Sequence, residues 1–201
     1  MRYNIMSIFI FITKAAESMF SLLDTAKSFI EGAIKPDSVV ADFTMGNGHD
    51  TEYLCSKVPN GKVYAFDIQE SAVENTRKRL ADGGFTNAVL IHDSHAKCRE
   101  YIKEPIAAGM FNLGRLPGGD HSIHTMRPST LEAVKGAIDL LIPGGSIVIS
   151  VYPGHEEGRL EGEMLLEELG KLDRFHYCVV HFHIVNSADA PFIISVEKYD
   201  K

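Results

Sequence analysis

Asp42, Asp50, Asp67 and Asn112 are the residues whose type and spacing can do chemistry in this sequence. Asp42 opens the stretch "DFTMGNGHDT" (42–51), in which Gly46 and Gly48 stand two apart behind an apolar run. A GxG turn after such a run suggests a loop wrapped around a nucleotide, but the charges argue against a pyrophosphate. A dinucleotide loop holds phosphate at a helix N-terminus and repeats glycine a third time. Here that third position is Thr51, and Asp42 and Asp50 would both repel an anion. Two carboxylates suit a cation instead, at roughly 1.5–3 kcal/mol for a charge-assisted contact. Asp50 reads equally well as a helix N-cap, which does not conflict with a ligand role for Asp42.

S-adenosyl-L-methionine has the matching chemistry: no phosphate, an α-ammonium and a sulfonium. Asp42, Thr44, Gly46, Asn47, Gly48, Asp50 and Thr51 would then surround its methionine part, the glycines allowing close backbone approach. Asp67 stands 19 residues after Gly48, at the end of the next apolar run, where an acid can accept both ribose hydroxyls. Ile68 is placed to pack on the adenine, and Asp93 and Ser94 to reach its amino group. A surface turn acid is the plainer reading of Asp67, and helix capping that of Asp93 and Ser94.

The elements that must position these residues alternate. Apolar runs at 38–43, 62–67, 88–92, 106–113 and 146–152 read as strands, the fourth weakened by Gly109. Helical spacing occupies 17–33, 50–57, 70–81, 96–102, 129–141 and 157–172. The chain closes with strands over 177–185 and 192–199, joined by "NSADAP" with no room for a helix, so these two pair antiparallel. The expected fold is α/β: a seven-stranded, mostly parallel, Rossmann-like sheet with its last strand reversed and helices on both faces. "LLIPGGSIVI" (140–149) adds a helix end, a Pro-Gly-Gly turn and an apolar strand in the order of a class I methyltransferase.

The 201 residues suit one domain, with 1–16 an apolar arm of unassigned role. The run 5–12 is too short to span a bilayer. A net charge of −7 gives no global attraction to nucleic acid or anionic membrane. Three widely spaced cysteines without a CxxC pair fit a reduced, cytoplasmic protein.

"DFTMGNGHDT", "FNLGRLPGGDH" (111–121), "RPSTLEA" (127–133) and "VYPGHEEG" (151–158) together resemble a small bacterial family of rRNA-methylase-like proteins. That family is associated with methylating 5-aminomethyl-2-thiouridine at the tRNA wobble position. Arg115, where Tyr is more usual, and the apolar arm before Thr13 depart from its pattern. The resemblance implies S-adenosyl-L-methionine as cofactor and the tRNA anticodon region as partner, with no membrane; a homodimer is left open. A methyltransferase of the same fold acting on rRNA or on a small amine is the alternative.

Asn112 falls at the end of the fourth strand, where an amide oxygen can accept an amine N–H and aim the nitrogen lone pair at the methyl carbon. An alkyl amine titrates near 10, so a proton must leave before attack. Asp120 and His121 are the candidate bases, and Leu113, Gly114, Arg115, Gly118, Gly119, Tyr152 and His155 the candidate substrate contacts. A turn at 117–119 capped by Asp120 explains the glycines as well. Lys97, Arg99, Lys103, Arg115, Arg127 and Arg159 can meet phosphates, though scattered surface charge is the default. Nine histidines form close pairs but no pattern of three or four convergent metal ligands, so no metal is expected.

Overall fold

A computed structural model describes residues 21–116, 124–187 and 189–200. The strands are β1 (Val39–Asp42), β2 (Lys62–Asp67), β3 (Ala88–His92), β4 (Ile106–Asn112), β5 (Leu141–Val151), β6 (Tyr177–Phe182) and β7 (Phe192–Lys198). They form one sheet in the order β3-β2-β1-β4-β5-β7-β6. β1 to β5 pair in parallel, and β7 runs antiparallel to both β5 and β6. The expected architecture, with its reversed last strand, is therefore present. The strand order turns back at β1 and β4, and that switch point opens the crevice at the strands' C-terminal ends.

The helices are α1 (Leu22–Glu31), α2 (His49–Lys57), α3 (Glu70–Asp82), α4 (Cys98–Tyr101), α5 (Arg127–Leu140) and α6 (Glu156–Leu169). Successive strand residues face opposite sides, so each strand feeds two cores. Val40, Val63, Met110 and Val148 pack with Ala26, Ile30, Leu54 and Leu80 of α1 to α3. Ala41, Phe66, Phe111 and Ile149 pack with Val134, Ile138 and Leu165 of α5 and α6.

Three local expectations change. The helix expected at 96–102 splits into a 3-10 turn (His95–Lys97) and α4, because Ser94 Oγ accepts the Ala96 N–H and starts the chain in a tighter coil. β5 begins early, at Leu141, and absorbs the Pro-Gly-Gly turn as an irregularity of its ladder with β4. β6 ends at Phe182, leaving Ile184 and Val185 exposed. Gly109, which weakened the case for β4, has a packing reason: a Cβ there would lie 2.8 Å from the Phe43 ring and 3.0 Å from Ile147 Cγ2. That gap lets Phe43 stack on Phe111 at 4.3 Å beneath the crevice. The arm 1–16 lies outside the described residues.

Candidate active site

The loop between β1 and α2 is held by three hydrogen bonds, one to β2 and two to α3. Gly46 N–H donates to Asp67 Oδ2 at 3.0 Å, tying the loop to the end of β2. The Gly46 carbonyl accepts from Thr76 Oγ1 at 3.0 Å, and the Asn47 carbonyl from Arg79 Nε at 2.8 Å, tying it to α3. Gly48 has φ +80°, and a Cβ there would lie 2.8 Å from Thr76 Oγ1 and 3.0 Å from Thr76 Cα. The glycine is thus demanded by the loop's contact with α3 as well as by its left-handed turn. Gly48→Ala is expected to cost roughly 2–4 kcal/mol from strain plus overpacking, read as a lowered urea midpoint.

Burial or existing bonds already engage the side chains of three of the expected contacts. Thr51 is fully buried and donates its hydroxyl to Asp42 at 2.6 Å, so its side chain supports that acid. Leu113 is 2% exposed and its side chain belongs to the core. Asn47 turns its side chain to Asn75 on α3.

Asp42 itself is 1% exposed, and its second oxygen accepts the Thr44 N–H at 3.1 Å. Burial pushes its pKa up to about 7, with the Asp50 charge adding to the rise and the Thr51 and Thr44 bonds opposing it. The partly open acid beside the loop is Asp50, in the first turn of α2, whose Oδ1 lies 3.4 Å from Lys27 Nζ of α1.

Asp50 Oδ2 accepts from Asn112 Nδ2. A carboxylate only accepts, so the Asn112 amide must turn its NH2 toward Asp50 and its oxygen away. The Asn112 backbone N–H donates to Thr44 Oγ1 at 2.7 Å, fixing the end of β4 to the glycine loop. Asn112 Oδ1 is buried and has no hydrogen-bond partner among the described residues. A buried acceptor without a donor costs about 1–3 kcal/mol, so this atom can take a further donor. The same group of acids, Asp42, Asp50 and Asp67, favours a donor carrying positive charge.

Asp67 Oδ1 accepts the Gln69 N–H at 2.9 Å. Each carboxylate oxygen has two lone-pair sites, so one on each remains for a hydroxyl. Ile68 beside it is 54% exposed, an apolar face for a flat ring. Asp93 accepts from Tyr101 Oη at 2.7 Å, Lys97 Nζ at 2.9 Å and Ser94 N–H at 2.7 Å, and these bonds, Tyr101's first, hold its pKa down at about 2. Tyr152 is half-buried, and burial followed by the Asp50 charge raises its hydroxyl pKa. His155 caps α6 by accepting the Gly158 N–H on Nδ1 at 3.0 Å. Gly114 leaves β4 pinned to Thr125, with two bonds of 2.9 Å, and Arg115 beyond it is exposed. Gly118, Gly119, Asp120 and His121 lie outside the described residues.

Sequence reasoning missed three residues. Lys27 sits in a helix ahead of the motifs and reads as a surface lysine. His95, weighed only for metal, donates Nδ1–H to the Phe43 carbonyl at 2.9 Å and keeps Nε2 as an acceptor; burial lowers its pKa, so it stays neutral. Glu161 is 1% exposed on α6 and accepts from Thr130 at 2.5 Å and Thr125 at 2.8 Å, bracing the neck at Gly114. Among the described residues no three His, Cys, Asp or Glu side chains gather to hold a metal, and no helix is long and apolar enough to cross a membrane.

Comparison with known proteins places this geometry among relatives. A family model described as "Putative rRNA methylase" matches residues 63–197. The chain is 35% identical over 180 residues to a chloroplastic "tRNA (mnm(5)s(2)U34)-methyltransferase" of Arabidopsis thaliana, covering 84% of this chain and 66% of that protein. It therefore spans about two thirds of that curated relative's length. Of solved structures, a "putative rRNA-methylase" from Clostridium thermocellum is similar at 38% identity and a TM-score of 0.87, over 90% of this chain and 99% of that one. A "putative methyltransferase" from Streptococcus mutans in complex with SAH is similar at 35% identity and a TM-score of 0.83, again over 90% and 99%.

Proposed function

The chain belongs to the rRNA methylase family, a family of methyltransferases, and from that premise we propose that it uses S-adenosyl-L-methionine to methylate the 5-aminomethyl group of the wobble (2-thio)uridine of tRNA. The observation that carries this reading is Asn112 Oδ1: a buried acceptor without a partner among the described residues, its amide locked by Asp50 at the end of β4. An amine N–H is the donor it lacks. Accepting that hydrogen orients the amine lone pair, and such alignment contributes much of the rate of an in-line displacement.

The cofactor, when bound, supplies a methyl carbon activated by the attached sulfonium. The chain's part is to hold and to orient. Asp67, steadied by the Gly46 and Gln69 amides, accepts the ribose hydroxyls. Ile68 offers the adenine an apolar face. Thr44 fixes Asn112's backbone, and Asp50 its side chain. Asp120 and His121 remain the proposed acceptors of the amine proton, and Tyr152 with His155 the proposed contacts to a splayed base. The chloroplastic relative, a methyltransferase of the methylaminomethyl thiouridine at tRNA position 34, supports the substrate. Action in the cytoplasm on the tRNA anticodon region belongs to the same proposal.

A small-molecule amine is the second reading, favoured by charge. Lys97, Arg99, Arg127 and Arg159 are each in ion pairs with Asp93, Glu132 and Asp139, Glu157 and Glu163 respectively, so few of the expected phosphate contacts stand ready. The experiment is methyl transfer from labelled S-adenosyl-L-methionine to tRNA carrying the unmethylated aminomethyl base, beside a panel of small amines, with mass spectrometry of the nucleosides. Label in the wobble nucleoside is expected. Label in free amines alone would select the second reading.

A further inference from the structure

We infer that Lys27 binds the α-carboxylate of the methyl donor, so that the helix ahead of the first strand completes the cofactor site. The inference rests on the proposed use of S-adenosyl-L-methionine and adds a residue that lies before both the matched family region and the glycine loop.

Its basis is the juxtaposition of opposite charges. Ala26 and Ile30 are fully buried in the core beneath α1, which fixes the helix against the sheet and sets Lys27 at its margin, beside the head of α2. Lys27 Nζ lies 3.4 Å from Asp50 Oδ1 and 4.7 Å from the centre of the Tyr53 ring. The Lys27 and Asp50 side chains are 23% and 12% exposed, so both heads are partly sheltered yet still reachable. The separation is longer than the 2.7–2.9 Å or so of a tight charged hydrogen bond, so this pair is loosely made. An ammonium has three N–H donors. Asp50 lies on one side of it and the Tyr53 ring on another, which leaves a donor for a second acceptor.

An amino acid presents an ammonium and a carboxylate on one carbon. Asp50 supplies negative charge, and Lys27 alongside supplies positive charge. Such a side-by-side arrangement matches a zwitterion and suits neither a nucleoside without an amino acid nor a dinucleotide.

The test uses the full chain, titration calorimetry and two probes: S-adenosylhomocysteine, which carries the amino acid, and 5′-methylthioadenosine, which lacks it. Lys27→Met keeps the apolar stem and removes the charge. It is expected to weaken S-adenosylhomocysteine about tenfold to a hundredfold, the range for a charged hydrogen bond. Binding of 5′-methylthioadenosine should stay within twofold of wild type, and Lys27→Arg should restore most of the loss. Unchanged S-adenosylhomocysteine affinity in Lys27→Met would overturn the inference, leaving Lys27 as a neutraliser of Asp50. Equal losses for both probes would overturn it too, as damage to the whole site. A wild-type chain that binds neither probe would instead sink the proposed function, and this inference with it.

Discussion

Asn112→Ala is expected to lower the rate of methyl transfer by roughly a hundredfold or more while leaving the protein nearly as stable as before. The first half follows from alignment: without the amide oxygen the attacking amine keeps its place in the pocket but loses the bond that points its lone pair, and small misplacements cost about that much. The second half follows from two opposing terms at the same residue. Truncation removes a donor from Asp50, yet Lys27 remains beside that carboxylate. It also deletes a buried oxygen without a partner among the described residues, which relieves a penalty of about 1–3 kcal/mol. Single-turnover rates with saturating cofactor measure the first effect, and urea midpoints the second. A variant within threefold of the wild-type rate would remove Asn112 from the reaction. A large fall in stability would show that its role is structural.

The second large effect concerns Asp42. Its carboxyl is held near 7 against an ordinary 3.8, chiefly by burial. A raised folded-state pKa means that the native state binds the proton more tightly than the unfolded chain. Stability from this group is therefore complete below about pH 4, declines as pH rises toward 7, and is flat above. The decline amounts to roughly 4 kcal/mol, at 1.4 kcal/mol for each tenfold change in proton affinity. Asp42→Asn removes the ionisation and keeps the shape: Thr51 can rotate its hydroxyl to accept from the new amide, and Thr44 N–H can still donate to its oxygen. Compared with wild type, the variant should gain stability steadily from pH 4 to 7, by up to several kcal/mol, with a parallel loss of affinity for a cationic ligand. Urea unfolding of both proteins across that range gives the difference directly. A difference independent of pH would show that Asp42 is ionised throughout. The stored cost makes sense at a site for a cation, because a positive ligand stabilises the anion that the fold alone disfavours.

Much of this architecture was legible in one dimension, and the reason is periodicity. Strands buried on both faces appear as short apolar runs, and helices as spaced apolar stripes, so β2 and β3 matched their expected bounds residue for residue. The short connection after β6 forced an antiparallel pair. The candidate site was legible wherever a polar residue ends a strand, since a parallel sheet directs strand ends to one edge: Asp67 and Asn112, the proposed ribose and amine contacts, do end β2 and β4. Tertiary structure decided which groups remain available. Only packing shows that Thr51 is spent on Asp42, that Leu113 is core, and that most of the basic side chains are paired. Only the fold brings Lys27 of α1 to Asp50 of α2, or Glu161 of α6 to the neck at Gly114. Local sequence encodes backbone preference and burial, which act over a few residues; charge pairing and the satisfaction of buried polar atoms depend on distances between segments far apart in the chain, and the folded structure alone sets those.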